Sequence, residues 1–265
     1  MAYASYPQGD SPKKSSFNEN QVNSAPANRL LAKSFGYMAI GLAISGLVAF
    51  LTSYLFVYVL KWAGERGQIA SAYATGYLTI MIVSFVGLLV SGLVMSMVMA
   101  RNKHSAWAPY ILYTVFMGVF LSSFLILGID FQTIGEAFLL TSTSFFAMFL
   151  IGYFAKGGKG MRILAMVTSL LATMILLFAL FWLIKILVTG NTIGYYRYDM
   201  IMSGAILLLS VIVVAFDAYN IKRILEKAEG MKNVALYCAF TMYSDYIIIF
   251  LRVLYILLLV AGKKK

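Results

Sequence analysis

Long uninterrupted runs of apolar residues dominate the chain from about residue 30 onward. Seven runs, separated by short polar segments, cover residues 30–60, 76–100, 107–128, 134–155, 163–188, 200–221 and 234–260. A helix needs about 20 apolar residues to cross the hydrocarbon core of a bilayer. Because the runs do not alternate between apolar and polar positions, they predict helices rather than the strands of a transmembrane barrel. The pattern predicts an all-α integral membrane protein with seven transmembrane helices.

Residues 1–28 break this pattern. They are rich in Ser, Asn, Gln, Pro and Lys and show no periodic apolar face, which is typical of a disordered segment. We therefore expect a disordered cytoplasmic tail at 1–28 and a transmembrane domain at 29–265. The tail has no apolar stretch followed by a small-residue cleavage site, so the first apolar run is expected to act as an uncleaved insertion signal.

Composition and charge agree with this class. Apolar residues make up 62% of the chain and charged residues 12%, whereas soluble domains have about 45–50% and about 25%. The net charge of +11 lies in segments between the apolar runs, where basic residues orient helices and contact anionic lipid. That distribution excludes a nucleic-acid-binding protein. The single Cys238 cannot form an internal disulfide, and one histidine is too few for a zinc hydrolase.

The distribution of Lys and Arg predicts the orientation. With the N-terminus in the cytoplasm, thirteen basic residues fall on the cytoplasmic side, and four fall on the other side before the last helix. This bias predicts a cytoplasmic N-terminus. The terminal triplet at 263–265 disagrees, so either seven full spans place it outside or the last run does not cross completely.

Ionisable residues within the apolar runs are the candidates for function. Each costs about 2.5 to 3.5 kcal/mol at the bilayer centre and needs a partner or a water-filled site. The candidates are Asp217 near the end of run six, Asp245 midway along run seven, Arg252 two turns beyond it, Glu136 at the head of run four and Arg101 at the end of run two.

Asp217 and Asp245 lie on consecutive helices joined by the basic segment 220–233. If the carboxyl groups meet, they share one proton and titrate as a coupled pair, which makes a pH sensor and, when both are ionised, an oxygen site for a divalent cation. The alternative is that Asp217 lies beside Lys222 and Arg223 at the helix end, and that Asp245 pairs with Arg252 on the same helical face.

Two roles are also open for each of Arg101 and Glu136. Arg101 belongs to a basic cluster that anchors the cytoplasmic end of a helix or acts as a gate residue. Glu136 is either a supporting group or an acid placed near a helix N-terminus, where the helix dipole favours it.

Five segments resemble the Bax inhibitor-1 family of seven-helix membrane proteins. They are RLLAKSFGYMAIGLAISGLV, MVMARNKHS, IGEAFLLTSTSFFAMFLIGYFAKG, AFDAYNIKRILEKAE and NVALYCAFTMYSDYIIIFLRVLYILL. The resemblance covers most of residues 29–259, and the order and spacing of the segments carry it. Two departures stand out: run two has no acidic residue where some relatives have one, and the linker between the aspartates is a few residues longer than in compact bacterial forms.

The resemblance implies a seven-helix bundle with helix seven central and a pH-sensitive calcium leak across the membrane. Asp217 and Asp245 match the family's paired, pH-sensing aspartates and would bind the passing Ca²⁺. Arg101 matches the arginine that pairs with the first aspartate in the shut state. Beyond membrane lipid and Ca²⁺ as the transported ion, the resemblance implies no cofactor or enzymatic activity.

Two other functions stay open. An intramembrane aspartyl protease also has two aspartates on its sixth and seventh helices, but its second aspartate follows a Gly-x-Gly, where this chain has Tyr243 and Ser244, and its Pro-Ala-Leu element is missing. A non-conducting scaffold would act through helix contacts and show no pH-dependent flux. The short tail favours a bacterial cytoplasmic membrane, although a protein of the endoplasmic reticulum would have a similar sequence pattern.

Overall fold

The structure is a computed structural model that describes residues 24–65, 69–101, 105–155, eleven residues between 163 and 177, 195–226 and 233–262. Six long helices account for most of them: α1 Ser24–Gly64, α2 Ile69–Arg101, α3 Trp107–Ile126, α4 Phe131–Phe154, α6 Tyr195–Glu226 and α7 Val234–Gly262. A short apolar helix, α5, covers Met166–Ile175.

Each of the six long helices contains an apolar segment long enough to cross a bilayer. The chain is a multi-pass integral membrane protein with six candidate spans in its described part. The fifth predicted run, 163–188, falls largely outside the described residues, so the seven-span bundle with helix seven central stays a prediction.

Two helix ends differ from the sequence prediction. The first helix begins at Ser24, inside the expected tail, and α6 continues to Glu226, so half of the expected linker at 220–233 is helical. Hydropathy marks only the part of a helix that lies in hydrocarbon, while backbone hydrogen bonds carry the helix on into polar residues. Residues 1–23 of the predicted tail lie outside the described residues.

Local chemistry explains where helices begin and turn. Pro26 and Pro109 each lie in the first turn of a helix, where an N–H has no intrahelical partner and its absence costs nothing. The turn between α3 and α4 contains Gly128 with φ +75°, a left-handed conformation that glycine adopts without strain. Its N–H donates to the carbonyl of Leu125, which closes the end of α3.

Helix α7 contacts α1, α3, α4 and α6, and α2 packs against α1 and α3. The most buried side chains lie on α7 and on the faces turned towards it, among them Cys238, Met242, Tyr243 and Ile249. Large apolar side chains on the outer faces are exposed, as expected for surfaces that contact lipid.

Candidate functional site

The two predicted aspartates lie on adjacent, contacting helices. Asp217 is nine residues before the end of α6 at Glu226, and Asp245 is eleven residues after the start of α7 at Val234. At 1.5 Å per residue, both lie about 14 to 16 Å from the α6–α7 connection. Their carboxyl groups are close enough to act on each other electrostatically, and the side chain of Asn220 also acts on Asp217.

Neither aspartate is fully buried. Both side chains are half-buried, and Asp217 lines a cavity of about 460 Å³ that opens between α6 and α7. Asn220, Arg223, Tyr237 and Thr241 also line this cavity. Asp217 therefore borders a space with several polar side chains in its walls, on the side of the α6–α7 connection.

Two of the basic residues considered as partners of the aspartates, Lys222 and Arg223, contact aromatic rings. The charged group that acts on Asp245 is Asp217, and among the described residues Arg252 makes no comparable contact with it. The ammonium group of Lys222 lies 5.4 Å from the centre of the Tyr153 ring, within cation–π range. The guanidinium group of Arg223 lies 5.8 Å from the ring of Tyr219. These contacts favour mutual pairing of the aspartates over pairing with nearby bases.

The other candidates do not join this pair in the described residues. Glu136 is exposed on α4, and its carboxylate accepts a hydrogen bond from Gln132 at 3.0 Å. Arg252 is half-buried on α7. The backbone of Arg101 ends α2, while its side chain lies outside what the structure describes, so its role as a gate stays a prediction.

Four consecutive side chains of α7 each make a polar contact with a different helix. The contacts are Tyr243 with Ser45 of α1, Ser244 with Tyr113 of α3, Asp245 with Asp217 of α6, and Tyr246 with Ser142 of α4. The Tyr243–Ser45 and Tyr246–Ser142 oxygen distances are 2.5 and 2.9 Å. We call residues 243–246 the polar turn; it links α7 to its four neighbours at one level of the bundle.

Of the polar turn, the sequence prediction included Asp245 as a candidate functional residue but not Tyr243, Ser244 or Tyr246. Its signal is visible in the sequence, because a helix has 3.6 residues per turn and four consecutive polar side chains point to all of its sides. A helix with polar groups all round cannot face lipid, since each group needs a partner. The polar turn thus indicates that α7 is enclosed by protein at this level.

The described residues contain no group of three or more His, Cys, Asp or Glu side chains placed to hold a metal ion. A resident calcium site needs six to eight oxygen ligands, which two aspartates do not supply.

Comparison with known proteins gives one finding. The family described as "Bax1-I: Inhibitor of apoptosis-promoting Bax1" matches residues 27–262 of the chain. Searches of the curated proteins and of the solved structures gave no match. The matched range begins three residues after the start of α1 and reaches the last residue of α7, so it includes every described transmembrane helix.

Proposed function

The chain belongs to the Bax inhibitor-1 family, and we propose that it is a pH-sensitive calcium leak channel gated by Asp217 and Asp245. Members of this family are generally membrane proteins without enzymatic activity. That property and the residues before Asp245 disfavour an intramembrane aspartyl protease. The observation that supports the proposal is the proximity of the two carboxyl groups, which come from separate helices and act on each other.

A hydrogen bond between the carboxyl groups of Asp217 and Asp245 requires a proton. An ionised carboxylate only accepts hydrogen bonds, so a hydrogen bond between two carboxyl groups exists only while one of them is protonated. While that proton is shared, the pair holds α6 against α7. Its loss leaves two negative charges facing each other, and a second proton removes the remaining charge. Either change alters the contact, and with it the packing of the two helices.

The surroundings of the pair support a path for a cation. The cavity is lined by Asp217 and lies towards the α6–α7 end, which is the predicted cytoplasmic end. Carboxylate oxygens are ligands that Ca²⁺ prefers. A site with only two such groups binds an ion weakly enough to release it, as conduction requires. Arg101, at the end of α2, is the proposed seal of the same mouth in the shut state.

Calcium flux from proteoliposomes tests the proposal. The full chain is reconstituted with an internal Ca²⁺ dye, and the initial flux is followed over the near-neutral pH range. Asp217→Asn and Asp245→Asn should each flatten the pH response, because asparagine keeps the shape of the side chain and cannot titrate. Asp199→Asn is the matched control, since Asp199 lies on the same helix and bonds to Tyr255 instead of to an aspartate.

If Asp217→Asn and Asp245→Asn both retain the full pH response of calcium flux, gating by the aspartate pair is refuted. Absence of pH-dependent flux from the unaltered chain would refute the channel itself and leave the non-conducting scaffold. An equal loss in Asp199→Asn would show that any charge change in α6 disturbs the protein, and would remove the argument for a specific pair.

A further inference from the structure

A second cavity lies at the opposite end of the bundle, near the α3–α4 turn. It has a volume of about 430 Å³ and is walled by α1, α3, α4 and α7. At the other end of the bundle, α1 and α4 meet through Phe35, whose ring packs against those of Phe146 and Phe149. Towards the α3–α4 turn, the cavity lies between residues of α1 and α4, with α3 and α7 completing its walls.

The walls of this cavity are hydrocarbon. Ser45 and Tyr246 are the polar side chains among the residues that line it, and both are bonded elsewhere. Ser45 contacts Tyr243 and the carbonyl of Thr114, and Tyr246 contacts Ser142. Water entering the cavity would find few partners, and apolar cavities of this kind stay dry. The natural occupant is apolar.

Two glycines shape the opening. Gly46 on α1 and Gly135 on α4 both line the cavity, and a Cβ added at either position would meet no atom within 4 Å. The phenylalanines of the rim, Phe50, Phe131 and Phe138, are 56%, 68% and 48% exposed. The cavity is therefore continuous with the lipid-facing surface of the helices.

We propose that the cavity between α1 and α4 binds an acyl chain of a bilayer phospholipid. An apolar cavity of about 150 Å³ takes a benzene molecule, so this cavity has room for roughly seventeen carbon atoms on the same scale. A helix from another chain is about 10 to 12 Å wide and is too large to enter. The proposal concerns lipid binding and does not depend on ion conduction.

Position in the bilayer favours a phospholipid. The cavity lies beside the first two turns of α4, whose first residue, Phe131, follows the α3–α4 turn. That turn joins two membrane-spanning helices and so lies near the headgroup layer. A phospholipid with its headgroup at this level directs its chains inward along the axis of the cavity.

Photolabelling tests the proposal. The full chain is reconstituted with a phospholipid carrying a diazirine in one acyl chain, and adducts are mapped by mass spectrometry. Labelling of Ile247, a cavity wall residue that is 3% exposed, should saturate as the photolipid fraction rises. Labelling of Leu93, which is 60% exposed on α2, should instead rise in proportion, because it contacts exchanging bulk lipid.

The second experiment fills the cavity by replacing glycines that line it with leucine. The double variant Gly46→Leu with Gly135→Leu should reduce labelling of Ile247 several-fold, whereas Gly36→Leu with Gly204→Leu should leave it unchanged. The control glycines also have open space around a Cβ, and neither lines the cavity.

Three results would overturn the proposal. They are proportional rather than saturating labelling of Ile247 in the unaltered chain, equal labelling in the two double variants, and labelling by a diazirine fatty acid but not by the phospholipid. The first measurement needs no variant, so a folding defect in the leucine variants leaves the proposal testable.

Discussion

The closest helix contact next to the aspartate pair predicts that Gly152→Ala disturbs both packing and gating. Gly152 on α4 faces the backbone of Ala215, two residues before Asp217 on α6. An alanine Cβ at 152 would overlap the Ala215 carbonyl and lie 2.7 Å from its Cα, whereas ordinary contacts begin at 3.4 Å. The obstruction is backbone and cannot rotate away, so α6 must shift by on the order of 1 Å.

The expected magnitude follows from two opposing effects. Overpacking of this kind costs about 1 to 3 kcal/mol, and replacing glycine by alanine within a helix returns about 0.5 to 1 kcal/mol. Because the obstruction is backbone, the cost lies towards the upper end of its range, and we expect a net loss of about 1 to 2 kcal/mol in the free energy of unfolding. Hydrogen bonds weaken steeply once the distance exceeds their normal range, so the same shift should separate Asp217 from Asp245 and reduce the pH response of calcium flux.

Thermal unfolding in detergent and the proteoliposome flux assay measure the two effects. Gly204→Ala on α6 is the control, because a Cβ there meets nothing within 4 Å, and it should be neutral or slightly stabilising. If Gly152→Ala unfolds at the same temperature as this control, the packing argument is wrong. If it is destabilised but keeps the full pH response, the coupling between the α4–α6 contact and the aspartate pair is wrong.

Three further substitutions test other contacts, each by thermal unfolding. Gly118→Ala should destabilise by about 1 to 2 kcal/mol after the same gain in helix propensity, because its Cβ would lie 2.6 Å from the Ser45 carbonyl oxygen, while Gly36→Ala meets open space and should not; equal stability of the two would contradict this. Tyr243→Phe should cost about 1 kcal/mol, since the hydroxyl bonded to Ser45 at 2.5 Å is buried, and an unchanged unfolding temperature would show that the bond adds nothing. Tyr255→Phe removes a hydrogen bond to the α6 carboxylate near the far end of the helix and should cost about 1 to 2 kcal/mol; an effect on the pH response rather than on stability would place that contact in gating.

The sequence identified the candidate pair but not its environment. Asp217 and Asp245 stood out because ionisable groups are rare in apolar runs, and the chain order suggested antiparallel neighbours. That they contact each other rather than Lys222, Arg223 or Arg252 depends on helix rotation, which hydropathy does not encode. The rings of Tyr153 and Tyr219 that engage the two α6 bases could not be assigned from the sequence.

By itself, the sequence determined the class of protein, its family and the approximate extent of its helices. These properties are local, because a bilayer requires a continuous apolar segment of fixed length, and the order of short segments identifies the family; the family match confirms that assignment. The polar turn could also have been read from four consecutive polar side chains in an apolar helix. Only the tertiary structure decided the partner of each side chain, the tight approach at Gly152 and the cavity between α1 and α4. Those features join segments as far apart as Ser45 and Tyr243, which are 198 residues apart, and they depend on how whole helices pack.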